Sequence, residues 1–114
     1  MAQPVVALVA TFLLAVLFYG ATAHIAARYV LGDAPIGRAF LVGIVPALVS
    51  FALRPYAPAI VIPLAAGADF FAIRAVYRLQ YRTAGLVAAA HYTVSAIAGI
   101  TVFNLVRLLG TAPV

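Results

Sequence analysis

The sequence predicts an all-α integral membrane bundle of four transmembrane helices with short loops and both termini outside, and three observations carry that prediction. The 114 residues are 68% hydrophobic and 8% charged, with a mean hydropathy of +1.20, whereas an average soluble domain is about half apolar and about one quarter charged. Seven basic and two acidic side chains cannot cover a soluble globule of this size without leaving large apolar patches. The apolar residues fall into four segments bounded by charge, proline or glycine, and the arginines gather in two of the three connections. The surrounding medium is lipid, and the length bounds the chain at one domain, residues 1–114.

Taken in order, the apolar segments are 5–27, 39–53, 57–73 and 84–106. They measure about 34, 22, 26 and 34 Å as helices, against a hydrocarbon core of about 30 Å. The outer two span unaided. The second is short, but Arg38 and Arg54 at its ends can snorkel while the bilayer thins locally. The third is extended by Arg74 and Tyr77. With these flanks the helices are expected at about 5–28, 38–53, 57–78 and 84–107. The connections are 29–38, containing Gly32-Asp33-Ala34-Pro35, then Arg54-Pro55-Tyr56, then 77–83.

Two alternatives are weighed against this plan. A re-entrant hairpin over 39–73, suggested by Pro46, Pro58 and Pro63, would strand Arg54 at its apex inside the bilayer, a cost of at least about 2.5 kcal/mol. A cleaved leader is suggested by Ala21-Thr22-Ala23, but residues 1–4 carry no basic charge and the apolar run continues to Ala27. Four uncleaved spans are therefore expected.

Arg28, Arg38, Arg74, Arg78 and Arg82 flank the first and third connections, whereas only Arg54 and Arg107 lie toward the other side. That bias sets the first and third loops in the cytoplasm and both termini outside, in a multi-pass cell-membrane protein. Tyr29, Tyr77 and Tyr81 then fall at the inner interface and Tyr56 at the outer, where amphipathic rings settle. The counter-ions of Arg28, Arg38, Arg74, Arg78 and Arg82 are expected to be lipid headgroups and not nucleic acid, because the arginines flank apolar spans. Arg74, Arg78 and Arg82 would form a ridge at i+4 spacing if the third helix continued into the cytoplasm.

The missing residue types exclude further chemistries. The chain has no Lys, Glu, Cys or Trp. Without Lys there is no Walker A loop, Schiff base or Ser-Lys dyad. Without Cys or Glu there is no thiolate site and no H-E-x-x-H zinc motif. No catalytic motif, metal or cofactor is expected.

The ionisable residues inside the spans are His24, Asp69 and His91, roughly 6, 8 and 13 Å from the arginine-rich interface by helical rise. Each lies on a face of small residues, such as Ala65, Asp69 and Ala72, or Ala84, Ala88, His91, Ser95 and Gly99. Small faces are where membrane helices approach closely, so these side chains should point into the bundle. Together they read as candidates for a proton or ion path. The competing reading is that Asp69 pairs with Arg28 or Arg74 while the histidines fix packing; it takes precedence because His24 is near enough to the interface to be wetted. A two-His-one-carboxylate metal site, axial haem ligation and a His91–Ser95 hydrolase each lack a supporting local motif.

An Arg-only, Ala/Val-rich membrane chain without Lys or Cys resembles uncharacterised small polytopic membrane proteins of halophilic archaea, in composition over the whole chain. The four short helices also look like small multidrug transporters, but that resemblance would require a glutamate in the first helix, and there is none. The expected role is a non-enzymatic structural or accessory subunit, associating with itself or a larger membrane complex through Gly/Ala-rich faces. Fewer than 120 residues leave little room for a pocket of about 300 Å³. The alternative is a small oligomeric proton-coupled transporter or channel using Asp69, His91 and His24.

Overall fold

Proline and glycine set four of the helix ends. The computed structural model describes residues 4–111, in which four helices and no strand are found: α1 Val5–Leu31, α2 Ile36–Ala52, α3 Pro58–Tyr77 and α4 Tyr81–Thr111. Residues 1–3, part of the uncharged tail expected to be translocated, lie outside the described residues. Pro4 and Pro35 precede α1 and α2, and Pro58 opens α3, where its missing N–H costs nothing. Gly32, at φ +85°, closes α1, a backbone region that glycine enters freely.

The end of α3 differs from the sequence expectation. Arg78 takes the left-handed conformation, φ 55° and ψ 53°, and the Leu79 N–H turns back to the Arg74 carbonyl at 3.0 Å. This wrap-around bond stops the helix. Arg74, Arg78 and Arg82 therefore share no continuous helical face: Arg74 is in α3, Arg78 caps it and Arg82 is in α4. The chain re-enters a helix almost at once, the Ala84 N–H bonding the Gln80 carbonyl at 2.9 Å.

Helices α1 and α4 also outrun their apolar segments, because the turns at Tyr29–Leu31 and Tyr81–Thr83 hold polar or interfacial residues that hydropathy alone would assign to loops. Helices α1, α3 and α4 are long and apolar enough to cross a membrane; α2, with 17 residues, is shorter and measures about 26 Å.

Each helix packs on its two neighbours, α1 on α2 and α4, α3 on α2 and α4, so the four form a closed up-and-down ring. The seam between α1 and α2 is the closest. A Cβ on Gly43 would lie 2.6 Å from the Gly20 backbone nitrogen and 2.9 Å from the Val16 carbonyl oxygen. Two backbones meet there because both helices present glycine at the crossing, the close approach that small residues allow.

Burial is deepest in one half of the ring, although Phe12 of α1 and Phe51 of α2 still meet edge to face toward the other end, ring centroids 5.6 Å apart. The buried residues are Gly20 to Ala27 in α1, Ala39 to Ala47 in α2, Asp69 to Tyr77 in α3 and Ala84 to His91 in α4. All but Pro46 and Ala47 lie toward the α1–α2 and α3–α4 connections, the arginine-rich end. Toward the other end, residues 100–111 of α4 are exposed throughout. The chain exposes 7755 Å², against about 5,900 Å² for a compact soluble monomer of this mass. The bundle is closed at one end and splayed at the other.

Candidate functional site

At the boundary between the closed and splayed halves, three helices bring four polar side chains together. Asp69 of α3, His91 of α4 and Thr22 of α1 are 3%, 2% and 3% exposed. His91 Nδ1 lies 2.6 Å from Asp69 Oδ2. On the other side of the ring, His91 Nε2 lies 2.9 Å from the Thr22 hydroxyl. Ser95, one turn beyond His91, donates to Thr22 Oγ1 at 3.2 Å. The Thr22 hydroxyl is also 3.0 Å from the Phe18 carbonyl and 3.1 Å from that of Tyr19. A further link joins α4 to α3 beside the pair, where the Tyr92 hydroxyl donates to the Ala66 carbonyl.

Donor and acceptor counting allows this chain two complete arrangements. With two protons on the pair, Asp69 Oδ2 and His91 Nδ1 share one and Nε2–H donates to Thr22, whose own hydrogen goes to Phe18. Remove one proton, and His91 Nδ1–H donates to ionised Asp69 while Nε2 accepts from Thr22. The Thr22 hydroxyl need only rotate. The first state is electrically neutral and the second carries one negative charge, so taking up a proton changes the site's charge with little movement of heavy atoms.

Asp69 Oδ1 is buried and has no hydrogen-bond partner. Asp69 borders a cleft of about 400 Å³. Val61, Ile62, Ala65 and Ala66 of α3 and Pro46 of α2 make the cleft largely apolar, while His91 and Ser95 border it with Asp69. Since Ser50 and Val61 border it too, the cleft runs from the pair toward the α2–α3 turn, within the splayed half. The volume falls in the about 300–1,000 Å³ range of small-molecule sites. The expectation that so short a chain lacks room for a cavity is thus corrected: the helices part above the pair instead of packing along their whole length.

Asp69 does not pair with Arg28 or Arg74. Its ionic partner is His91, and Arg74 sits over the Tyr81 ring, 3.9 Å from its centroid. Arg28, Arg38, Arg78 and Arg82 are exposed. His24 stays outside the cluster: it is half-buried, and its Nδ1 has no partner. Among the described residues no three metal-ligating His, Cys, Asp or Glu side chains converge, so the two-His-one-carboxylate arrangement is not assembled. Nor does Ser95 face His91 as a nucleophile would; it reaches Thr22 instead. Thr22, the hydroxyl that does meet His91, is buried and does not border the cleft. The arrangement links Asp69, His91 and Thr22 in one hydrogen-bonded chain.

Ser95 completes the site from the small-residue face that it shares with His91 at i+4 spacing, and Thr22 does so without a sequence signature of its own. The available signal for Thr22 is its place in the buried stretch Gly20, Thr22, Ala23, Ala26 and Ala27, a polar group among small residues at helical spacing. No curated protein and no solved structure matches the chain. Residues 2–113 match the family model described as a family of unknown function, DUF7473, and the chain belongs to that family.

Proposed function

We propose that this is a four-span membrane protein in which the Asp69–His91 pair binds and releases a proton at the floor of the cleft, as the working element of a small proton-coupled transporter or channel. The observation that carries this reading is the unbroken Asp69–His91–Thr22 hydrogen-bond chain at the wall of a cavity. An intramembrane carboxylate is costly, about 2.5 kcal/mol or more at the helix centre, and packing alone needs neither an ionisable pair nor a cavity beside it. With the arginine-rich loops in the cytoplasm, both termini lie outside and the cleft opens outward. The deciding measurement is infrared difference spectroscopy of the protein in lipid between about pH 5 and pH 8, the range in which histidine-coupled sites titrate, with Asp69→Asn as the blank. A change in the Asp69 carboxyl stretch is expected; none over this range overturns the proposal.

A second reading, an accessory subunit associating through its Gly/Ala-rich faces, is favoured by Gly67 and Gly99. A Cβ at either would meet nothing within 4 Å, so the chain's own packing does not require these two glycines. Gly67→Leu and Gly99→Leu should then break association while leaving each chain folded.

A further inference from the structure

We infer that the cleft takes an organic ammonium ion with an apolar body, its charged head against the Asp69 carboxyl group, and that this cation and the pair's proton exclude one another. The inference rests on the proton-binding reading above and supplies the chemistry of the ligand. Three features converge on it. The first is the unsatisfied oxygen: Asp69 Oδ1 is buried without a partner, and a buried acceptor left unpaired is costly, more so when charged. Asp69 borders the cleft, so a turn of its carboxyl group would offer this oxygen to an N–H donor there.

The second is charge. Loss of one proton leaves the pair with a net negative charge in surroundings that screen it poorly. A monovalent cation entering as the proton leaves keeps the site neutral before and after, one positive charge replacing another. No other carboxylate and no basic side chain borders the cleft beside the pair, and the nearest arginine in sequence, Arg74, is held over Tyr81. The balance is therefore one cation for one proton.

The third is the lining. Pro46, Val61, Ile62 and Ala65 offer an apolar wall, poor in the oxygen ligands that an alkali ion needs. Tyr19 and Tyr92 border the same space, and aromatic rings attract ammonium groups. A bare metal ion would lose hydration here with little return, whereas an amine with a hydrocarbon body satisfies wall and floor together.

Isothermal titration of the protein in lipid nanodiscs, with benzylammonium as the probe, tests the inference. Benzenesulfonate supplies a similar shape with the opposite charge, and sodium supplies the charge without the apolar body. Benzylammonium alone should bind. Repeating the titration in buffers of different ionisation enthalpy should show proton release, up to one per cation. Asp69→Asn, which keeps the side-chain shape, should weaken binding by at least about tenfold, as loss of a desolvated charge partner does; Thr101→Ala, on the exposed part of α4 and outside the cleft, should retain it. Equal binding of benzenesulfonate, tight binding of sodium, undiminished affinity in Asp69→Asn or binding without proton release would each overturn the inference. If benzylammonium does not bind while the Asp69 carboxyl stretch still responds to pH, the ligand assignment fails and the proton-binding reading stands. If the stretch does not respond, both fail.

Discussion

Replacing Thr22 by valine and by serine separates the polar role of this residue from its packing role. Valine keeps the volume and removes the hydroxyl; serine keeps the hydroxyl and removes a methyl group. In the folded protein the Thr22 hydroxyl meets His91 Nε2 at 2.9 Å and accepts from Ser95 at 3.2 Å. Its bond to the Phe18 carbonyl is redundant, since that oxygen also serves the helix. Ser95 is half-buried and borders the cleft, so it can turn to another partner. His91, 2% exposed, cannot. The cost of Thr22→Val is thus mainly that of one interhelical hydrogen bond with a buried nitrogen left unpaired. Such bonds are worth about 0.6–1.7 kcal/mol in membrane proteins, and the stranded imidazole nitrogen places this one toward the upper end. Thr22→Ser gives up one buried methyl, about 0.8 kcal/mol. Reversible unfolding in mixed lipid and detergent, followed by circular dichroism, should therefore rank wild type above Thr22→Ser above Thr22→Val. The infrared response of Asp69 should survive in Thr22→Ser and shift in Thr22→Val. Thr22→Val as stable as wild type, with an unchanged infrared response, would refute the hydrogen-bond chain.

Gly43→Ala should destabilise by about 1–3 kcal/mol, the range for overpacking, because its new Cβ would fall about 0.8 Å inside ordinary contact with the Gly20 backbone. Gly67→Ala and Gly99→Ala, with open space around them, should leave monomer stability within about 0.5 kcal/mol in the same assay. For orientation, single cysteines at Tyr56 and at Arg82 should react oppositely with an impermeant thiol reagent on intact cells, Tyr56→Cys labelled and Arg82→Cys protected; the reverse pattern would invert the direction in which the cleft opens.

The sequence reveals the four helices because their composition is almost wholly apolar while charge, proline and glycine gather between them, and every proline and glycine that ends a helix is visible as punctuation. The helix ends are less legible. Arg78 in the left-handed conformation has none of the local marks of a stop, since the usual glycine is absent. The small-residue faces place Asp69 and His91 inside the bundle, and the structure brings the two into direct contact. What periodicity cannot supply is rotation about the helix axis to within a few tens of degrees. That is why His24 looks equivalent to His91, although it stays outside the cluster, and why Thr22 passes unnoticed. The cleft is illegible for a different reason: it arises where helices part, and sequence patterns encode packing more clearly than its failure.

The asymmetry of the bundle bears on how a proton at this site could be put to use. Below the pair, Val42, Ile73 and Val87 are fully buried and seal it from the arginine-rich end, while above it the cleft gives access. Exchange with the sealed side requires that core to part, and the seams differ in how firmly they resist. α1 and α2 are locked where Gly43 meets the backbone of Gly20. α3 and α4 are tied by Asp69–His91 and by Tyr92 to Ala66. Between these two pairs of helices, the polar contacts are His91 and Ser95 with Thr22. The two-proton state uses the His91 Nε2–H as donor to Thr22, and the one-proton state reverses the direction of that bond. Proton occupancy thus acts on the polar link between the α1–α2 and α3–α4 pairs. A cation in the cleft acts on Asp69, the other end of the same chain. On the proposed reading, coupling requires no longer wire than Asp69, His91 and Thr22.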